Sequence, residues 1–408
     1  MAEFSLSENL SIFDLLNISA CASCRECYLY CPVYDVDRRS ALTPREKLKN
    51  LISILKKERG LLASLFGPRV KDEEIKDFLP ALYECSVCAQ CREVCPAGID
   101  TPKLWERIRA NMVSSGYGPL PQQKTISQSI RNYDNPWMQP RGMRGKWAER
   151  AFKEGRISRP VQDITKNRAK VLYYVGCTAS YDQNITEVAI NFVELMNIAG
   201  IEFGILGPRE KCCGSTPLRI GDYATFEQQA IANIDLFTEL KVDTVVFSCS
   251  GCFKTMNQDY REVKKLPFRT LHLVQFLLEL MEEKKLVPLK EVPLKITYHD
   301  PCHLGRHNKL YEEPREILRR IPGIELIEMK RSRKFSRCCG AGGGVKAGFP
   351  HINNAMTDMR IEDAEETGAD ELVTACPFCY QSLQLGIQRK NSYLKIRDVT
   401  ELLIRSVK

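Results

Sequence analysis

The chain has 408 residues, 44% hydrophobic and 27% charged, which is enough for buried cores and too long for one compact domain. That balance excludes disordered, collagenous and coiled-coil classes, and a net charge of +8 selects no partner by itself. Eighteen cysteines are too sparse for a small disulfide scaffold. The first residues carry acids where a signal peptide needs bases. The best apolar run, Leu271–Met281, falls short of the ~20 residues of a membrane span and is broken by His272, Gln275 and Glu279. A cytoplasmic protein is expected, with reduced thiols serving metal or redox chemistry.

In chain order, Asn9–Leu16 comes first, with Leu10, Ile12, Phe13, Leu15 and Leu16 at amphipathic spacing, and it reads as a packing element rather than a membrane anchor. Cys21, Cys24, Cys27 and Cys31 follow, with Pro32 after the last. The same run, C-x2-C-x2-C-x3-C-P, returns as Cys85, Cys88, Cys91 and Cys95 before Pro96. It is the run of bacterial two-cluster ferredoxins, in which three thiolates wrap one 4Fe-4S cube and the fourth reaches the other. On that rule one cubane cluster takes Cys21, Cys24, Cys27 and Cys95, and the second takes Cys85, Cys88, Cys91 and Cys31. Zinc is the plainer alternative, but it commonly uses two separated C-x2-C pairs and has no need of the prolines. The 53 residues between the runs predict helices over Pro44–Glu58 and Asp72–Tyr83, from apolar steps such as Leu48, Leu51, Ile52 and Leu55, with Thr43 as N-cap before Pro44. Such a long helical insertion resembles the ferredoxin domain of succinate dehydrogenase iron–sulfur subunits.

Residues 116–167 read as a basic linker, with Arg141, Arg144, Lys146, Arg150, Lys153, Arg156 and Arg159 around Trp147. Beyond it the chain repeats itself. Cys177, Cys212-Cys213-Gly214 and Cys249-x-x-Cys252 recur as Cys302, Cys338-Cys339-Gly340 and Cys376-x-x-Cys379. Cys302 lies 125 residues after Cys177, Cys338 lies 126 after Cys212, and Cys379 lies 127 after Cys252. Register held over three landmarks argues for duplication. The first copy reads strand (Ala169–Gly176), helix (Ile185–Ile198), strand (Phe203–Leu206), helix (Tyr223–Leu240) and strand (Thr244–Ser248). The second reads Leu294–Tyr298, Glu312–Arg320, Glu325–Met329, Ile352–Glu366 and Glu371–Thr374. This alternation predicts a Rossmann-like, mostly parallel sheet in each copy, with the cysteines beyond the carboxyl ends of the strands. The chain is therefore expected to be multidomain: an all-α two-cluster ferredoxin domain (1–115), the linker (116–167), and two α/β units (168–290 and 291–408).

The spelling Tyr298-His-Asp-Pro-Cys302-His, Cys338-Cys-Gly-Ala-Gly-Gly-Gly344 and Cys376-Pro-Phe-Cys379, behind a two-cluster ferredoxin segment, resembles the D subunit of heterodisulfide reductase and its relatives over about Cys21 to Cys379. The resemblance implies that each repeat is a CCG domain whose five cysteines hold a non-cubane 4Fe-4S cluster. One would take Cys177, Cys212, Cys213, Cys249 and Cys252, the other Cys302, Cys338, Cys339, Cys376 and Cys379. It implies a disulfide reduced between the two clusters, or the reverse thiol oxidation, with Cys302, Cys338 and Cys339 at the chemistry. It further implies a hetero-oligomer with an electron-donor subunit, either a flavoprotein or a membrane cytochrome b that would tether the chain to the inner face of the membrane. The alternatives are an electron-relay subunit with no disulfide substrate, linked to aromatic-ring reduction, sulfur metabolism or electron-transferring flavoprotein, and a zinc-structured scaffold.

His299, His303 and His307 bracket Cys302; His303 is the candidate proton donor to a departing thiolate, and a strand-end cap or a hydrogen bond to sulfur is the plainer role. Gly340–Gly344 lacks the third glycine of a dinucleotide fingerprint and follows a Cys-Cys pair, so it reads as glycines admitting close backbone approach, and no flavin or nicotinamide site is expected. Lys330, Arg331, Arg333, Lys334 and Arg337 form either a solvated face or a wall for an anionic thiol or disulfide. No nucleic-acid motif is present.

Overall fold

Apolar residues at three- and four-residue steps build the first part of the chain as helices. Thr43 accepts the Glu46 N–H at 3.4 Å and starts the helix Pro44–Arg59. Asp72–Tyr83 forms as expected, with three acids in its first turn. Together with Thr101–Ser114 these helices bury Leu48, Leu51, Phe78, Leu82, Trp105, Ile108 and Met112 in one core. The computed structural model describes residues 6–7 and 10–407. By internal contacts the chain divides into two units. The first comprises Met1–Ser127 with Thr216–Ala224 and Arg337–Thr357, and the second comprises Gln128–Ser215, Thr225–Ser336 and Asp358–Lys408.

One element of the first unit departs from expectation. Asn9 lies outside the described residues. The helix Ile12–Ser19 leaves Ile12, Phe13, Leu15 and Leu16 exposed and buries only Asp14 and Ile18, so it is not the packing element expected. Arg107 fixes it instead, through Asp14, the residue that closes the capping box with Ser11.

The second unit holds two all-parallel sheets. One contains β1 (Gln162–Asp163), β2 (Val171–Tyr174), β3 (Phe203–Ile205), β4 (Thr244–Phe247) and β5 (Arg269–His272), ordered β1-β3-β2-β4-β5. The other contains β6 (Leu294–Tyr298), β7 (Ile324–Leu326), β8 (Glu371–Thr374) and β9 (Lys395–Asp398), ordered β7-β6-β8-β9. The orders β3-β2-β4-β5 and β7-β6-β8-β9 are the same, so the duplication seen in the cysteines is also one of topology. Near-continuous apolar strands such as Val171–Tyr174 are what burial on both faces requires.

Expected strands and helices occur within a few residues of their predicted bounds, although β7 covers 324–326 rather than 325–329. β1, β5 and β9 are additions to the expected set. The apolar run 271–281 splits at His272, whose Nδ1 accepts the Val274 N–H and turns the strand into the helix Leu273–Glu282. The stretch expected as a linker carries the helices Pro121–Tyr133 and Lys146–Lys153 and the strand β1, and Trp147 is buried.

The packing between the repeats is reciprocal. Thr186–Ile198, which follows β2, packs on Val399–Val407, which follows β9. Glu312–Arg319, which follows β6, packs on Leu273–Glu282, which follows β5. The two pairs are counterparts of one another, since the first long helix of each repeat packs on the last helix of the other, the signature of a local two-fold relation.

A thiol-lined candidate cluster site

In the first unit the two ferredoxin-type loops share a backbone feature. The residues flanking the second cysteine have positive φ in both: Ser23 (58°) and Arg25 (67°) around Cys24, Val87 (53°) and Ala89 (64°) around Cys88. Left-handed backbone at non-glycine residues costs of order 1 kcal/mol each. Its recurrence at matching positions fits loops wrapped around one kind of object, with backbone N–H groups turned inward as in anion-binding nests. One cavity wall brings together Cys21, Cys24, Cys27 and Cys95, with Cys91 beside them. Cys31 lies within electrostatic reach of Cys85 and Cys88, as does Cys91. Burial pushes the thiol of Cys27 up to about 11 and that of Cys31 up to about 12. Thiols so placed ionise when iron takes them as ligands, so the donor set suits a thiolate-ligated cluster.

The loop Cys338–Gly344 belongs to this unit. Ser86 Oγ donates to Cys338 Sγ at 3.6 Å, and the Gly340 N–H approaches the same sulfur at 3.4 Å. Asn353 Nδ2 and Thr357 Oγ1 donate to the Cys339 carbonyl at 3.2 and 2.8 Å. A Cβ on Gly343 would lie 2.6 Å from the Cys85 carbonyl oxygen, so these glycines serve close backbone approach to the second cysteine loop.

In the second unit the cysteines follow strand ends. Cys177 heads a short helix after β2, Cys249 follows β4, Cys302 follows β6 and Cys376 follows β8. The thiols form a string: Cys177 meets Cys212, Cys213 meets Cys212 and Cys252, Cys249 meets Cys252, and Cys376 meets Cys379. Cys249 also meets Cys376, its counterpart in the other repeat. Hydrogen bonds from Cys212 and Cys252 pull Cys213 down to about 6, and Cys249 and Cys379 hold Cys376 well below an ordinary thiol. Ser250 Oγ donates to the Ala375 carbonyl at 3.1 Å, tying the two C-x-x-C loops together.

Several polar groups at this site give no sequence signal. Arg144 is fully buried and donates to Cys177 Sγ at 3.1 Å. Its partner Glu210, at 2.9 Å, accepts the Val175 and Gly176 N–H groups, both at 2.9 Å. Burial disfavours the Arg144 charge, but Cys177 and Glu210 outweigh it and hold the guanidinium protonated. By sequence Arg144 is one of many linker cations. His272, also without a signal, is fully buried between the repeats, its Nε2 3.1 Å from the Ser248 carbonyl, and burial lowers its pKa to about 4.

The three histidines around Cys302 separate in role. Burial, and then Arg360, lower His299 to about 3; its Nδ1 accepts from Arg360 at 3.1 Å. The rings of His303 and His307 meet at a tilt of 51°, with centroids 4.7 Å apart. A Cβ on Gly251 would sit 3.7 Å from Cys249 Sγ and 3.8 Å from His303 Nδ1, so His303 reaches across to the first repeat's C-x-x-C loop. Of the basic run, Arg333 pairs with Glu312 and Glu328, Lys330 with Glu366, and Arg337 with Asp35.

These features define an iron–sulfur redox protein with paired cysteine-rich domains. The 4Fe-4S dicluster domain family matches residues 17–99, and the cysteine-rich CCG domain matches residues 171–257 and 296–384. The chain belongs to the family of the heterodisulfide reductase D subunit. It is 37% identical to the D subunit of the dihydromethanophenazine:CoB–CoM heterodisulfide reductase of Methanosarcina barkeri, over 98% of this chain and 97% of that relative. It is 30% identical to the EtfAB:quinone oxidoreductase of Syntrophomonas wolfei, over 98% of this chain and 60% of the relative. It is 28% identical to the B subunit of the fumarate reductase (CoM/CoB) of Methanothermobacter marburgensis, over 96% and 72%. A solved structure, a hypothetical protein from Helicobacter pylori, shares the fold with a TM-score of 0.55 at 8% identity, over 98% of this chain and 73% of that one. These relatives include subunits of oxidoreductase complexes. Among the described residues no helix is long and apolar enough to cross a membrane.

Proposed function

We propose that this chain is the disulfide-reducing subunit of a redox complex, taking electrons through the ferredoxin-type cysteines and using them where the two C-x-x-C loops meet. The observation that carries the reading is the contact between Cys249 and Cys376, corresponding residues of the two repeats. In this reading Cys21, Cys24, Cys27 and Cys95 hold one cubane cluster and Cys85, Cys88, Cys91 and Cys31 the second. Cys177, Cys212, Cys213, Cys249 and Cys252 hold a third cluster, and Cys302, Cys338, Cys339, Cys376 and Cys379 a fourth. Such clusters supply one-electron transfer and storage when bound.

Breaking an S–S bond to two thiols takes two electrons and two protons, one of each per sulfur. Cys249 and Cys376 set two electron-delivering sites side by side, so both sulfurs of one disulfide are within reach of a donor. His303, beside Gly251 and Cys249, holds a proton for the departing sulfur. Arg144 offsets charge at Cys177, and the burial of Cys212, Cys213, Cys252 and Cys376 keeps water from the reduced sulfurs. The CoB–CoM heterodisulfide named for the Methanosarcina barkeri relative is the substrate to try first.

The test is a thiol titration. Oxidised, anaerobic protein given coenzyme M should develop a new paramagnetic signal. That signal should broaden when the iron is an isotope with nuclear spin, and vanish in Cys302→Ala and Cys339→Ala. A silent titration with all clusters present would favour the second reading, an electron relay with no disulfide substrate, which the kinship to the EtfAB:quinone oxidoreductase supports.

A further inference from the structure

We propose that Lys47 and Arg109 are the buried counter-charges of the cluster on Cys85, Cys88, Cys91 and Cys31, and that they raise its reduction potential above that of the cluster on Cys21, Cys24, Cys27 and Cys95. The inference rests on the dicluster assignment of the ferredoxin-type domain and not on the disulfide reaction.

Lys47 is 1% exposed. It points inward from the helix Pro44–Arg59, with Nζ 5.2 Å from the Trp105 ring centroid. No carboxylate among the described residues forms an ion pair with it, and its charge acts on Cys31. Arg109 is 0% exposed. Its guanidinium donates only to backbone carbonyls: Leu82 at 2.6 and 3.2 Å, Cys85 at 2.6 Å, Arg219 at 2.6 Å and Gly343 at 2.9 Å. The nearby carboxylate, Glu106, is paired with Arg219 at 3.3 Å. The buried cations Arg144 and Arg315, by contrast, each have an acid, Glu210 for the first and Asp300 for the second.

A buried cation without an anion costs several kcal/mol, and proteins avoid it. Two such cations flanking one set of thiolates are accounted for if that set carries an anion. A cubane held by four thiolates is a dianion and gains a further negative charge when it accepts an electron. Cations fixed beside it in a weakly screened core therefore favour its reduced form. The other set differs. Cys24 and Arg25 are exposed, and Arg45, whose N–H serves Cys27, is paired with Glu46. An electron leaving the exposed set, oxidising it, thus reduces an inner set prepared for the added charge. That inner set adjoins Cys338 through Ser86. Arg109 joins it to the same loop through the Gly343 carbonyl.

The test is an anaerobic redox titration followed by electron paramagnetic resonance, with iron content measured on each sample. Lys47→Met and Arg109→Met should each move one of the two cubane signals to lower potential by at least tenfold in its one-electron equilibrium, about 59 mV. The other signal should stay in place, and Lys47→Arg and Arg109→Lys should restore the potential. Equal shifts in the neutral and charge-conserving variants, or no shift, would overturn the proposal. Where a neutral variant loses that cluster, retention in its charge-conserving partner supports the proposal and loss in both refutes it. A silent thiol titration with these shifts present would count against the disulfide reaction and leave the counter-charges standing.

Discussion

Replacing Gly343 by alanine tests how the loop of Cys338 and Cys339 is seated on the second ferredoxin-type loop. Gly343 has φ +65°, and an added Cβ would lie 2.6 Å from the Cys85 oxygen, 2.8 Å from the Ser86 carbonyl carbon and 2.9 Å from Ser86 Cα. All three are backbone atoms, so no side chain can swing aside. Left-handed backbone should cost about 1–2 kcal/mol, and the overlap about 1–3 kcal/mol more, for a total near 2–5 kcal/mol. Gly116 is the control in the same unit: its φ is +85° and nothing lies within 4 Å, so Gly116→Ala pays only for the backbone. Anaerobic denaturant titration, read by loss of iron–sulfur absorbance, should give a clearly lower midpoint for Gly343→Ala than for Gly116→Ala. Stopped-flow reduction should then show the cubane clusters filling normally while electrons pass onward more slowly. Equal losses in the two variants would show that the contact with Cys85 and Ser86 does not constrain the loop.

Iron and sulfide in anaerobic protein should approach four 4Fe-4S centres, because two complete ferredoxin runs and two complete five-cysteine sets are present; a value near two would remove the CCG sets as cluster sites. Asp398, buried and accepting from the Thr400 N–H and hydroxyl at 2.9 and 2.7 Å, has its pKa pushed up to about 7 by burial. Between about pH 4 and pH 7 the folded protein therefore holds a proton the unfolded chain has released, so this contribution is complete at the acid end and lost as pH rises through 7. Asp398→Asn should flatten that part of the stability-versus-pH curve in thermal unfolding, and an unchanged slope would refute the assignment.

Much of the redox architecture was legible in one dimension, because ligand spacing is a local property. A C-x2-C-x2-C loop can wrap a cluster only if its cysteines sit at those intervals, and a duplicated unit keeps its landmarks in register wherever it folds. Local patterning likewise announced Asp72–Tyr83 and the strands before Cys177, Cys249 and Cys376, since burial on both faces demands short apolar runs. The edge strand β9 escaped because Lys395-Ile-Arg-Asp398 is three-quarters charged, and its place in the sheet comes from pairing with β8. Ile12, Phe13, Leu15 and Leu16 showed the reverse error: their pattern promised a buried face, but periodicity says only that a face exists, and tertiary neighbours decide whether anything covers it. The charged residues that matter most were invisible for the same reason. Lys47 sits in Pro-Arg-Glu-Lys-Leu-Lys-Asn, which reads as an ordinary solvated helix, and Arg109 in Glu-Arg-Ile-Arg-Ala. Lys47 lies over the Trp105 ring within electrostatic reach of Cys31, and Arg109 is held by the carbonyls of Leu82, Cys85, Arg219 and Gly343. Those partners are up to 234 residues away. A charge is turned from surface to interior by contacts that only the folded chain assembles, because its cost depends on the neighbours that replace water.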